Sequence, residues 1–311
     1  MISRSSKKKS RKYDSIYNLE YLAMSLPALL YFGIFAYLPM SGLILAFKTY
    51  RYDLGILGSK WVGFNNFKFF FTSGDALEIT RNTVGYGISF LVIGTVAAIV
   101  VALMLFEISK GLFIKIYQTI MITPSFMSWV VVSFITYIFL NPVTGVMNAM
   151  LGVFSIEPVN WYMEGAYWPT ILNVVNLWKG IGISVVLYYS RLMAIDKELF
   201  EAASIDGAKR LQQIVYISLP ALVPLVSILA LMAIGNIFRG DFGLFYQIPR
   251  NSGILYDSTD IIDTYLFRAL SKSADIGRST AIGFFQSFVG LILVLATNKI
   301  IKKINPENAI F

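Results

Sequence analysis

Six apolar stretches alternate with short polar connections along the chain, at roughly 20–47, 82–106, 116–140, 168–190, 214–238 and 279–300. Crossing about 30 Å of hydrocarbon takes roughly 20 mainly apolar residues in a helix, and each stretch meets that length. The pattern predicts an all-α membrane protein of six transmembrane helices with both termini on one side. The longest polar interruption, Arg239 to Gly277, contains Asp260 to Leu270 with apolar residues at Ile261, Ile262, Tyr265, Leu266 and Ala269. That helical spacing predicts a short surface helix whose opposite face carries charge.

Composition supports the reading: 56% of the residues are hydrophobic and 14% charged, far from the proportions of a soluble domain. Charge orients the bundle. MISRSSKKKSRK holds six basic residues ahead of Tyr13, which places the N-terminus in the cytoplasm. On that topology the inside segments carry 15 basic and eight acidic residues, while the outside loops carry ten of each. The net charge of +8 is then topological, and no nucleic-acid partner is expected. A basic start before an apolar run also fits a signal peptide, but the run continues through Ala46 without a small-x-small cleavage site, so a retained span is expected. The chain divides into a basic cytoplasmic N-terminus (1–19), a membrane domain (20–301) with a cytoplasmic loop at 191–213, and a tail (302–311).

Cysteine and histidine are both absent, which excludes disulfides, thiolate nucleophiles and histidine-based relays or metal sites. No G-x-x-x-x-G-K-[ST] run is present, so the chain has no phosphate-cradling loop of its own. Polar residues within spans are costly and therefore informative. In the fourth span Asn173, Asn176 and Gly180 share one helical face. Lys179 either marks a wet path or meets an acidic partner, and Trp178, Tyr188 and Tyr189 offer aromatic platforms. Asn236, with Arg239 and Asp241, and Gln286 in the sixth span complete the candidates for a substrate path. Asp257, Asp260 and Asp263, beside Arg268, read as a solvated face or docking surface.

The cytoplasmic segment EAASIDGAKRLQQIVYISLP carries the most specific signal. Asp196 can cap a helix entering KELFEAASIDGA, and Gly207 permits a turn that a side chain would oppose. Glu201, Ala202, Ala203, Gly207, Ile217, Leu219 and Pro220 match E-A-A, three residues, G, nine residues, I-x-L-P at every specified position. The segment resembles the EAA loop of the permease subunits of binding-protein-dependent ATP-binding-cassette (ABC) importers. YLPMSGLILAFKTY, VGFNNFKFFF, PSFMSWVVV, LWKGIG and RGDFGLFYQ extend the likeness to the permeases that import oligosaccharides and polysaccharide fragments, of the aldouronate and polygalacturonate type.

The resemblance implies a type I importer permease fold in the bacterial plasma membrane, coupled through Glu201, Ala202, Ala203, Asp206 and Gly207 to a separate ATPase. The implied partners are a second homologous permease, two ATPase subunits, an extracytoplasmic solute-binding lipoprotein and the carbohydrate. No cofactor is expected on this chain, with ATP and Mg used by the ATPase. The alternatives are a secondary carrier or a membrane-embedded glycosyl or phosphoryl transferase. The former needs carboxylates near span centres, which the six spans lack. The latter needs clustered carboxylates or a metal.

Overall fold

A computed structural model describes residues 19–72, 74–108 and 111–304. The basic N-terminal run and the tail beyond 304 lie outside the described residues. The first span, α1 (Leu19–Phe47), relaxes into a π turn over Gly33–Tyr37, upstream of Pro39, and ends in a 3-10 stretch over Ser41–Phe47. A proline cannot donate to the preceding turn, so the ladder widens to accommodate it. Only the Ser41–Phe47 end rests on the last span, while Leu19–Met40 is exposed apart from half-buried Ser25. The outer connection pairs β1 (Lys48–Thr49) with β2 (Lys60–Trp61) and continues into α2 (Asn65–Thr72). There Phe47, Phe64, Phe67 and Phe284 meet edge to face or tilted. These rings join the outer connection to the last span.

The second span, α3 (Asp75–Glu107), and the fourth, α7 (Trp168–Met193), pack against each other more extensively than any other pair of described elements. At the end near Met193 they pack through Ala98, Ala102, Leu105, Val185, Tyr188 and Leu192 with Leu222 of the fifth span. At the other end Tyr86, Trp168 and Leu172 meet Leu244, Ile248, Leu255 and Ile261, which descend from the 239–261 segment. The fifth span, α10 (Leu219–Gly235), follows a π turn at Ile214–Ser218 just ahead of Pro220.

The third span departs from the continuous helix expected over 116–140. It is α4 (Leu112–Ile122) with a 3-10 turn to Phe126, followed by α5 (Trp129–Leu140) at 103° to it. Pro124 supplies no N–H to the ladder, Met127 is extended, and the Ser128 side chain caps a fresh helix by accepting from Val131 N–H. A break with its own cap is a designed corner rather than a frayed helix. Among the described residues five helices are long and apolar enough to cross a membrane, and six if this bent pair counts as one span. Gly182 lies against the corner, where an added Cβ would stand 2.1 Å from the Met121 carbonyl oxygen. Only a glycine lets α7 approach that closely.

Beyond the break come α6 (Val146–Val153), on the outer loop, and the cytoplasmic pair α8 (Lys197–Ile205) and α9 (Arg210–Gln213). The outer segment after α10 folds into α11 (Phe242–Gln247) and α12 (Ile262–Ser273), and α13 (Ile276–Ile304) is the sixth span. The expected surface helix exists, but its acids do not form a solvated face. Asp260 is 7% exposed and paired with Arg268 at 12%, and Thr264 Oγ1 donates to it as well. Asp263 accepts from Gly240 N–H at 2.8 Å. Periodicity located the helix, but Asp260 is claimed within its own segment by Thr264 and Arg268, and Asp263 by Gly240 from the start of the outer segment.

Candidate functional site

The cytoplasmic unit is assembled from short-range chemistry. Asp196 accepts from Glu198 N–H and starts α8. At the other end Asp206 N–H donates to Ala202 and Ala208 N–H to Ala203 O at 2.9 Å, across Gly207 with φ +80°. That conformation suits glycine and strains any side chain. Gln213, 6% exposed, then fastens α9 to α8: its Nε2 donates to Ser204 Oγ at 2.9 Å and to Ala208 O at 3.3 Å.

The handle presents a mixed surface. Glu201, Ala202, Asp206 and Gly207 are exposed and Ala203 is half-buried, while Ile205 is 87% and Leu211 75% exposed. Such open apolar side chains flanking a glycine turn fit a groove on another protein better than water. The handle is rooted in the bundle by Phe106 against Phe200 at 5.7 Å and by Arg210 to Glu107 at 3.5 Å, while beside it Arg191 of α7 donates to Ala221 O of α10. Gln213, Phe200 and Ile205 were missed by sequence reasoning. The one available signal was Gln213 falling four residues before Ile217, on the buried side of the returning helix.

Polar residues of the spans fall into separate groups. Asn173 Nδ2 donates to Pro169 O at 2.8 Å, leaving its Oδ1 buried without a partner. It lines a cavity with Asn82, Tyr86, Ser89 and Asp257 between the outer ends of α3 and α7. Asn176 is half-buried one turn further on. Lys179 finds no acid. Its Nζ donates to Ser125 O at 3.0 Å and lies 4.9 Å from the centre of the Trp129 ring. It thus caps a carbonyl freed at the corner of the third span, where the negative end of α4 favours a cation.

Trp129 passes the connection on, since its Nε1 donates to Asp241 at 2.8 Å. Asp241 also caps α11 through Gly243 and Leu244 N–H. Asn236 is exposed, with Nδ2 donating to Met232 O. Gln286 is 5% exposed, and its Nε2 reaches Phe238 O at 2.8 Å and Asp263 at 3.3 Å. Burial pushes the Asp263 carboxyl above the usual carboxylate range, opposed by the hydrogen bonds from Gly240 and Gln286. The structure therefore brings Lys179 to Asp241 through one indole, and Gln286 to Asp263, but leaves Asn173 and Asn236 apart from both.

The comparisons with known proteins agree with this geometry. Residues 91–306 match the family described as the binding-protein-dependent transport system inner membrane component. The polygalacturonan/rhamnogalacturonan transport system permease protein YteP of Bacillus subtilis (strain 168) is 34% identical over 301 residues, covering 96% of this chain and 93% of its own. Protein LplB of the same organism is 34% identical over 282 residues, 91% and 88% of the two chains. Among solved structures, a chain of a bacterial ABC transporter involved in the import of the acidic polysaccharide alginate superposes with a TM-score of 0.86 at 32% identity, covering 95% and 99%. An alginate transporter in complex with its alginate pentasaccharide-bound periplasmic protein gives 0.84 at 32% identity, covering 97% and 98%. The match over most of the chain, with whole-length relatives above 30% identity, shows that the chain belongs to the binding-protein-dependent transport system inner membrane component family, as a multi-pass permease subunit of the type I ABC importer fold.

Proposed function

We propose that this chain forms half of the translocation pathway of an ATP-driven importer for acidic oligosaccharides or polysaccharide fragments. The observation that carries the reading is the handle: a short helix ended at Gly207, bearing an 87% exposed Ile205, and rooted by Phe200 and Arg210 on α3 and by Gln213 on α9. An ATPase subunit that grips α8 would turn α3 and α10 together. ATP, with its magnesium, is bound and hydrolysed by that partner, and delivery is by an extracytoplasmic solute-binding lipoprotein.

A second, homologous permease is supported by α1, whose apolar length from Leu19 to Met40 is exposed on its own bundle. Two ATPase subunits then serve two handles. Asn173, Asn176 and Asn236 are the groups we assign to the wall of the path. Lys179 and Gln286 act beside them by holding the corner and the outer segment. The acidic class of substrate comes from the relatives: one carries polygalacturonan in its name, and the other is described with alginate. The transferase alternative needs clustered free carboxylates, and of Asp257, Asp260 and Asp263 the last two are tied up by Arg268 and Gly240, which leaves Asp257 exposed without a second free acid from that cluster.

The test is purification from membranes followed by reconstitution. The wild-type chain should bring down an ATPase subunit and support ATP-dependent saccharide uptake. Gly207→Pro forces φ near −65° and removes the Gly207 N–H to Ser204 bond, so it should insert normally yet lose uptake. Full uptake with normal ATPase stimulation in that variant would remove the handle from the mechanism.

A further inference from the structure

Arg239 sits just past the end of the fifth span, exposed, with its guanidinium held by Ser287 Oγ of α13 at 3.0 Å. Among the described residues it forms no ion pair within 4.0 Å, and its charge acts on the Asp263 carboxyl from beyond that reach. The nearby carboxylates are already engaged. Asp241 accepts from Trp129, Gly243 and Leu244, and Asp263 accepts from Gly240 and Gln286. An arginine at the edge of a membrane bundle is costly unless it faces water or an anion. Its planar fork suits a carboxylate, and fixing it through one hydroxyl leaves other N–H groups to donate.

Three residues further on, the chain builds a ledge of rings. Phe242 stacks on Tyr246 at 4.9 Å with 20° between planes, and Phe267 of α12 meets them at 4.9 and 5.2 Å. Phe267 is 39% exposed, and Phe242 and Tyr246 are half-buried. The ledge cannot drift from Arg239, because Asp263, one turn before Phe267, accepts the N–H of Gly240. On the other side Asn236 is exposed with its Nδ2 committed to Met232 O, which leaves its carbonyl oxygen to accept a hydroxyl proton. A cation, an amide acceptor and an aromatic face are the three groups a uronic acid residue needs, for its carboxylate, its ring hydroxyls and its apolar C–H face respectively.

We infer that Arg239, Asn236 and the Phe242–Tyr246–Phe267 ledge form a subsite for one uronate unit of the passing chain, with Arg239 pairing the carboxylate. The inference rests on the import reading above and adds the place where charge is recognised. Ser287 and Asp263 are positioning residues: they aim the guanidinium and hold the ledge.

The test uses the intact complex, with its partner permease, ATPase and binding protein, in proteoliposomes. Two radiolabelled probes of equal length are compared, trigalacturonate and neutral trigalactose. Arg239→Gln should raise the KM for trigalacturonate by about tenfold or more, the effect of losing a hydrogen bond to a charged group, and leave trigalactose uptake within about twofold. Arg239→Lys should recover part of the loss, since it keeps charge without the fork. Phe267→Leu should weaken both probes alike, because ring stacking ignores charge.

Equal losses for the two probes in Arg239→Gln, or unchanged uptake of trigalacturonate, would overturn the subsite. So would a fall in complex yield with normal kinetics in the surviving complex, which would make Arg239 a contact to the partner permease. Wild-type uptake of trigalactose alone would remove the subsite and the acidic class of substrate while sparing ATP-driven saccharide import by this chain. Uptake of neither probe by the wild type would remove both.

Discussion

The cytoplasmic handle and the outer segment from Arg239 to Gly277 are both polar interruptions of an apolar bundle, but they are held by opposite means. In the handle, the buried amide of Gln213 reaches Ser204 only nine residues away. In the outer segment, Asn82 donates to Asp257 O across 175 residues, Ile262 N–H to Thr83 across 179, and Trp129 to Asp241 across 112. A unit closed on itself can tilt as one piece about its roots on α3 and α10. A unit stitched to the second, third and sixth spans moves only when those spans move. The first geometry suits receiving a push, and the second suits closing the far side in response.

The sharpest way to break this comparison is to cut the outer segment at its buried ion pair. Asp260→Ala leaves Arg268 uncompensated at 12% exposure, with the Tyr256 ring 4.0 Å beneath its guanidinium. Removing one member of such a pair costs about 3–5 kcal/mol. The expected outcome is a severe drop in the yield and melting temperature of the purified complex. Restoring neutrality with Asp260→Leu and Arg268→Met together should recover most of both. A wild-type melting curve for Asp260→Ala alone would mean that the outer segment is not fastened by this pair.

A smaller effect is expected at the handle. Gln213→Leu keeps the bulk but removes the donor to Ser204 Oγ and Ala208 O, a loss of about 1–3 kcal/mol for a buried amide hydrogen bond left unmade. Since the bond is internal to the handle, global melting should change little. Hydrogen exchange at Ala208 and neighbouring amides should speed up, and saccharide carried per ATP hydrolysed should fall. Unchanged exchange there, or a global loss of stability as large as that of Asp260→Ala, would erase the distinction between the two regions.

What could be read from the chain beforehand follows the same division. Glu201, Gly207 and Pro220 were legible because a helix end and a left-handed turn are properties of neighbours in sequence. The five unbroken spans were legible from length and composition. The corner in the third span was not, although Pro124 and Ser128 were in view, because a proline in lipid can also be absorbed as a mild kink. Whether it becomes a 103° break depends on Lys179 and Gly182 from another helix. Asp263 read as solvent-facing for the same reason, since Gly240 and Gln286 reach it only once α12 has docked against α13, whereas Asp260 is buried with a partner from its own segment, Arg268 eight residues on. The substrate-path residues stand between these cases. Their polarity marks them, but Gln286 and Asn173 show nothing in the sequence that separates a wall group from a structural clasp.

The least effect is expected where the handle meets the second span by charge. Arg210 and Glu107 approach to 3.5 Å, but their side chains are 75% and 36% exposed. Surface pairs of this kind contribute about 0–1 kcal/mol, weakened further by salt. Glu107→Gln should therefore leave uptake and melting nearly unchanged, whereas Phe200→Ala, which removes the ring packed on Phe106 at 5.7 Å, should reduce ATP-dependent uptake measurably. The ordering matters more than either value. If Glu107→Gln disables transport while Phe200→Ala does not, the handle is rooted by a charge that salt can screen. Uptake would then fall steeply with ionic strength. If the packing contact dominates, uptake stays flat across the same salt range, and the handle acts as an apolar extension of the bundle that carries it.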